Sequence, residues 1–334
     1  ILSIIPKVRN YKVVLYICTS FLILFAAIRS LTVGTDTYNY YLAFKFPERE
    51  LAYYSNSLEI LYWWLIKFCG FFLNYDLYML IVYSIILIPI ACVINKESEN
   101  KMLSLLLFIC IFCYTASFNI MRQSIAISIT FYAFYKYEKD ENRHFKKVWY
   151  YHLLAFLFHG SSVVCLVLYL LKYINISKLL SIIVIIGSFI FGFFFSDMLS
   201  EMLNVISVYA GKYEGYFNMF SGGEGRNLLS NLGVNIMALS IVLLSNDSMK
   251  NTIPYWGCIT YIILFNICGS MGYLVRIVGY FLIFQIIVIP NVLKGIKNHI
   301  IKYGYYCFIL VYCISIYFLR TLTTNEIVPY SIRF

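Results

Sequence analysis

Eleven apolar runs, bounded by charged or polar clusters, divide the chain at about 13–28, 58–73, 76–94, 102–118, 121–136, 146–171, 178–195, 231–245, 253–271, 274–292 and 303–320. Runs of this length exclude a transmembrane barrel, whose strands alternate over roughly 10 residues. In hydrocarbon every backbone N–H and C=O must find its partner within the chain, which leaves helices as the spanning element. Several runs fall short of the ~20 residues of an ideal span. Composition agrees: 61% of the 334 residues are apolar and 13% charged, with mean hydropathy +0.78. Soluble domains are typically about 45–50% apolar and 25% charged. The expected fold is all-α, a polytopic transmembrane helical bundle forming one domain over 1–334.

The net charge of +10 has an explanation other than nucleic acid. Lys and Arg collect in loops on the cytoplasmic side of a membrane. The clusters Lys96/Lys101, Lys136 to Lys147, Lys250 and Lys294/Lys297/Lys302 all read as cytoplasmic, so an even number of crossings separates each pair. That parity makes 146–171 two short helices bent at His159-Gly160-Ser161-Ser162, with an outward apex. Placing Lys7/Arg9/Lys12 on the same side as Lys96 likewise makes 58–73, which carries Glu59 and Lys67, an interfacial or re-entrant helix. The result is about eleven crossings plus one interfacial helix, with 29–57 and 196–230 as extracytoplasmic loops. The second loop reads as a mobile flap.

This topology sorts the two basic residue types. Of the arginines, Arg29, Arg49, Arg122, Arg226, Arg276, Arg320 and Arg333 fall outside, and only Arg9 and Arg143 inside, whereas Lys45, Lys67 and Lys212 are the only outward lysines. Guanidinium binds phosphate and carboxylate bidentately, and an ammonium does not. An outward anion site is therefore expected.

Several constellations line that face. Asn119-Ile120-Met121-Arg122-Gln123 opens a helix running inward, so its positive dipole end and Arg122 suit a pyrophosphate, and Arg276 sits similarly after Gly269-Ser270-Met271-Gly272. The bland alternative is that these arginines snorkel to lipid headgroups. In Gly34-Thr35-Asp36-Thr37-Tyr38-Asn39-Tyr40-Tyr41, Asp36 beside aromatic faces suits sugar chemistry or caps the following helix. Glu59, next to Tyr62, Trp63 and Trp64, reads equally as a ligand for sugar hydroxyls and as the partner of an arginine. His159 is a catalytic candidate or a neutral imidazole bonded to a carbonyl; His152 reads as structural. The cysteines lie mostly inside apolar runs and read as small hydrophobes, with no disulfide framework and no metal site. No phosphate loop with GKS/T, DxD, HExxH or GxSxG is present, which removes support for nucleotide-driven transport, DxD-dependent sugar transfer, zinc proteolysis and nucleophile-elbow hydrolysis.

In order and spacing, Arg29, Gly34-Thr35-Asp36-Thr37, Tyr40, Glu59, Arg122-Gln123, His159, Arg276 and Pro329-Tyr330 resemble the EpsG/Wzy family of polysaccharide polymerases over nearly the whole chain. The resemblance implies a GT-C-like membrane glycosyltransferase in a bacterial cytoplasmic (inner) membrane, with its active site facing the periplasm or cell exterior. It further implies one more helix upstream of Lys12, with Ile1 to Pro6 as its end. The implied reaction moves a growing glycan from undecaprenyl pyrophosphate onto a lipid-linked repeat unit, in the synthesis of O-antigen, lipopolysaccharide or exopolysaccharide. The implied roles are Asp36 as first and His159 as second choice of base; Arg122, Arg276, Arg29 and Arg320 on the pyrophosphate; and Glu59, Tyr38, Tyr40, Gln123 and Tyr330 on the sugars. No metal or cofactor is expected. Expected partners are the undecaprenyl-pyrophosphate-linked oligosaccharide, membrane lipids and a chain-length regulator protein, without nucleic acid. An O-antigen ligase and a flippase or transporter of lipid-linked oligosaccharide are the alternatives.

Overall fold

The computed structural model describes residues 11–48, 59–210, 228–269, 274–321 and 326–333. Lys7, Arg9, Arg49, Lys212, Arg226 and the stretch 211–227 of the expected flap lie outside the described residues. What is described is helical. In chain order the helices are α1 Lys12–Ala27, α2 Thr37–Lys45, α3 Ile60–Phe72, α4 Tyr75–Glu97, α5 Lys101–Cys110, α6 Cys113–Ala116, α7 Met121–Lys139 and α8 Trp149–Phe158. A 3-10 turn, Gly160–Val167, leads to α9 Leu168–Leu171, α10 Lys178–Ala210, α11 Leu228–Leu244, α12 Asp247–Lys250, α13 Ile253–Cys268, α14 Leu274–Leu282, α15 Gln285–Gly295 and α16 His299–Ile316, which ends in the turn Tyr317–Thr321.

Four helical stretches among the described residues are long and apolar enough to cross a membrane: Tyr75–Glu97, Lys178–Phe195, Arg276–Gly295 and His299–Arg320. At 1.5 Å per residue, α4 is about 34 Å long, which matches a hydrocarbon core of about 30 Å. Its start is secured by Asn74, which accepts the Leu77 N–H at 2.9 Å, with Asp76 in the positive first turn. Faces such as Phe68/Phe71/Phe72 and Ile183/Ile186/Ile190/Phe194 are exposed. An apolar surface this continuous requires lipid as its solvent, and the chain is a helical membrane protein.

The expected break at His159 is present: α8 stops there and the 3-10 turn begins at Gly160. Other boundaries differ from the sequence reading. The run 102–118 is interrupted where Phe112 takes a left-handed conformation, φ 75°. The run 274–292 is two helices meeting at Ile283 and Phe284. Helix α10 continues past 195 because apolar pairs recur at 198/199, 202/203 and 205/206, a helical period inside the segment read as a flap. The other expected loop contains α2.

The chain divides into two units, Ile1–Val163 with Cys313–Phe334, and Val164–Tyr312. In the first, α4 packs against α1 and α7, and α8 against α7 and α3. Ser128 on α7 reaches across to donate to the Ile86 carbonyl at 2.7 Å, an interhelical bond that a small side chain permits at close approach. In the second, α13 packs against α10, α11 and α14. There Asn235 and Asn266 exchange amide hydrogen bonds at 2.8 and 2.9 Å, and Asn266 also donates to Ser188 at 2.9 Å, so these buried amides are satisfied by one another.

Candidate active site

The start of α7 organises one end of the first unit. Phe112 and the turn Ser117–Ile120 reverse the chain, so that Met121 begins a helix with no side-chain cap of its own. Tyr40, from α2, supplies one. Its hydroxyl accepts the Met121 N–H at 3.0 Å and donates to the Asn119 carbonyl at 2.7 Å. The ring stands edge-on to Tyr62, whose hydroxyl meets that of Tyr78 at 2.9 Å. Tyr40, expected on sugar, thus uses both capacities of its hydroxyl to hold a helix end.

The turn before α2 wraps the same point. Gly34 has φ 94°, and a Cβ there would lie 2.6 Å from Asn119 Oδ1, so conformation and space both demand glycine. That amide oxygen accepts the Asp36 N–H at 3.4 Å. Asp36 occupies the cap position of α2 without a side-chain cap bond, and its charge, like that of Arg122, acts on the Tyr40 hydroxyl.

Arg122, in the first turn of α7, donates through Nη1 to Glu59 Oε2 at 2.8 Å, and Glu59 Oε1 lies 2.7 Å from His159 Nδ1. Glu59 comes from the start of α3, Arg122 from α7 and His159 from the end of α8, so three helices converge on one carboxylate. Side-chain exposures of 20, 30 and 24% for Glu59, Arg122 and His159 leave all three groups within reach of a ligand. Burial raises the affinity of the Glu59 carboxyl for a proton. The His159 hydrogen bond and the Arg122 charge outweigh it, and the group titrates below the usual carboxylate range. An ionised carboxylate only accepts, so the contact with Glu59 requires His159 to present Nδ1–H. Neutral His159 then carries its lone pair on Nε2. The arrangement can take a proton at one edge while holding an anion at the other.

The remaining expected site residues lie elsewhere. Arg29 is 0% exposed: Nη1 donates to the Ala26 carbonyl at 2.7 Å, Nη2 to the Phe118 carbonyl at 3.3 Å and Nε to Thr37 at 3.2 Å. Its guanidinium is faced by the rings of Phe118 and Tyr83 at 4.5 and 5.1 Å. A buried charge is tolerated only with such satisfaction, and here it ties α1 to α2 and to the turn before α7. Tyr330 stacks on Phe25 at 3.9 Å and donates to the Phe25 carbonyl. With it the C-terminal segment lies along residues 25–34, through Ser30 N–H to the Ser331 carbonyl, Arg333 N–H to the Ile28 carbonyl and an Arg333–Asp76 ion pair. Gln123 is buried in α7, Tyr38 is exposed on α2, and Arg320 is half-buried in the turn after α16. Arg276, on α14, belongs to the second unit. His152 is buried among Phe134 and Phe145, a packing residue. Asn119, Tyr62 and Asp76 carry parts of this framework that sequence reasoning did not assign to them.

The architecture defines the class: a polytopic helical membrane protein with a carboxylate, an imidazole and a guanidinium gathered at one end of its first unit. The chain belongs to the EpsG family, whose model matches residues 12–332. No curated protein and no solved structure matches the chain. Membership assigns it to membrane polysaccharide biosynthesis, as a polysaccharide polymerase in general terms.

Proposed function

We propose that the chain is a polymerase that transfers a growing glycan from undecaprenyl pyrophosphate to the terminal sugar hydroxyl of a lipid-linked repeat unit, on the extracytoplasmic side of a bacterial cytoplasmic membrane. The observation that carries this reading is Glu59, which joins a base-competent imidazole to a guanidinium at the start of a helix. As the acceptor oxygen bonds to the anomeric carbon, its proton passes to His159 Nε2 and the bond from that carbon to the pyrophosphate oxygen breaks. The departing oxygen takes the electron pair. Arg122 and the positive end of α7 stabilise the charge that develops there, and the reading assigns no role to a metal. His159 takes the role of base first given to Asp36. Only His159 is held in a defined tautomer next to the anion-binding group, and Asp36 is left to bind acceptor hydroxyls. Tyr38, exposed on α2, offers a ring face to sugar, whereas Gln123, buried in α7, serves the framework. Arg320, in the first unit, keeps its proposed part in donor binding. Arg29 and Tyr330, bound internally, serve as framework, and exposed apolar helix faces receive the polyprenyl chains.

The fold proposed with it has a GT-C-like bundle of eleven crossings, α3 at the interface and the α2 end outward. Cysteine placed at the exposed positions Asn142 and Ser248 should escape an impermeant thiol reagent in intact cells, and cysteine at Thr35 should react. Labelling at Asn142 would invert the orientation and sink the outward site. The function itself is read from product length when the purified protein in liposomes receives lipid-linked repeats. A ladder supports the polymerase, a single attachment supports a ligase, and lipid movement without a new glycosidic bond supports a flippase.

A further inference from the structure

Glu59 has two oxygens and divides them between the two groups to which the proposed reaction gives opposite tasks: Oε1 meets the His159 imidazole at 2.7 Å and Oε2 meets the Arg122 guanidinium at 2.8 Å. We propose that Glu59 is a positioning residue that couples donor binding to readiness of the base, holding His159 in its Nδ1–H form throughout and surrendering Arg122 when pyrophosphate arrives. The inference rests on the polymerase reading above.

Glu59 and a bound pyrophosphate compete for a single cation, Arg122. A guanidinium binds one carboxylate oxygen here at the edge of an interior, with both partners partly open to water. A pyrophosphate carries more charge and offers paired oxygens to the planar fork, so it displaces a singly engaged carboxylate. The ion pair between Arg122 and Glu59 therefore opposes donor binding to the extent of its own strength. A partly exposed pair of this kind contributes about 1 kcal/mol, which corresponds to about five-fold in affinity. Release of Oε2 has a second consequence. While Arg122 is bound, the negative charge of Glu59 is shared between two donors; once Arg122 turns to phosphate, that charge acts on His159 without the competing cation. An anion bonded to Nδ1–H stabilises the imidazolium that forms when Nε2 takes the acceptor proton, so the carboxylate serves the base when a donor is in place.

The coupling assigns opposite signs to the two effects of a single substitution. In Glu59→Gln, Arg122 loses the ion pair with Glu59, and the amide no longer stabilises the imidazolium or fixes the tautomer. Purified protein in nanodiscs, titrated with inorganic pyrophosphate as the probe, should bind it about five-fold more tightly than the parent. Single-turnover transfer at saturating lipid-linked donor should fall by about 100-fold. Glu59→Asp keeps a carboxylate and should recover part of the transfer rate with pyrophosphate affinity near that of the parent. It also controls for simple misfolding, as does the thermal transition of each variant. Weaker or unchanged pyrophosphate binding in Glu59→Gln, with binding by the parent still abolished in Arg122→Gln, overturns the coupling and leaves the polymerase reading standing. Pyrophosphate binding by the parent that is indifferent to Arg122→Gln overturns both, because the donor site is then elsewhere.

Discussion

His159→Gln is expected to lose glycan transfer by about 100- to 10,000-fold while the protein still inserts and still binds the lipid-linked donor. Glutamine keeps a polar group near Glu59, but its amide is no proton acceptor at neutral pH. The loss should fall on the rate at saturating substrate rather than on donor affinity, since Arg122 is untouched. The acid limb of the pH–rate profile should disappear with the imidazole, because that limb reports the base becoming protonated. Asp36→Asn should be the milder lesion, expressed mainly as weaker acceptor binding, and single-turnover transfer with both variants measures the order. Full transfer by His159→Gln together with an inactive Asp36→Asn would return the base to the position first read from the sequence.

Arg122→Lys should reduce transfer by about 100-fold or more although the charge is kept. Loss of a single donor aimed at a developing oxyanion typically costs that much. The ammonium is a point charge and does not present the two parallel N–H groups that match a pyrophosphate. It also loses the geometry in which Nη1 reaches Glu59 while the guanidinium carbon stands 5.9 Å from the Tyr62 ring centroid. Arg333→Lys is the internal comparison, since Arg333 binds Asp76 and the Ala27 carbonyl at the C-terminal segment, away from the Glu59 cluster. Normal transfer by Arg122→Lys would reduce Arg122 to a charge anchor and remove it from the donor site.

Membrane insertion and helical class were legible in the sequence because apolar run length and backbone satisfaction in lipid leave no other solution. The break at His159 was legible too, since it follows from charge parity and a small-residue turn. The interruption at Phe112 was not: no glycine or proline marks it, and an aromatic residue takes φ 75° there, at the cap position of α6. Arg122, Glu59 and His159 were each singled out by residue type, and Glu59 was read as either a sugar ligand or the partner of an arginine. Their convergence was beyond reach, since His159 and Glu59 lie 100 positions apart and Arg122 and Glu59 lie 63 apart. The same limit explains Arg29. Its location after a crossing suggested an outward phosphate ligand, whereas its burial depends on Phe118, 89 positions away, and on the face of Tyr83. Tyr40 likewise looked like a stacking platform because a hydroxyl that caps a helix from another element leaves no mark in local sequence.

If Glu59, Arg122 and His159 form the reaction centre on a pyrophosphate-linked glycan, a structure with a slowly transferred lipid-pyrophosphate oligosaccharide bound will show it. The pyrophosphate is expected at Arg122, with the Arg122–Glu59 bond broken, Glu59 still on His159 Nδ1, and the acceptor hydroxyl of a second repeat within hydrogen-bond reach of His159 Nε2. A pyrophosphate held away from Arg122, with the Glu59–Arg122 bond intact, would contradict it.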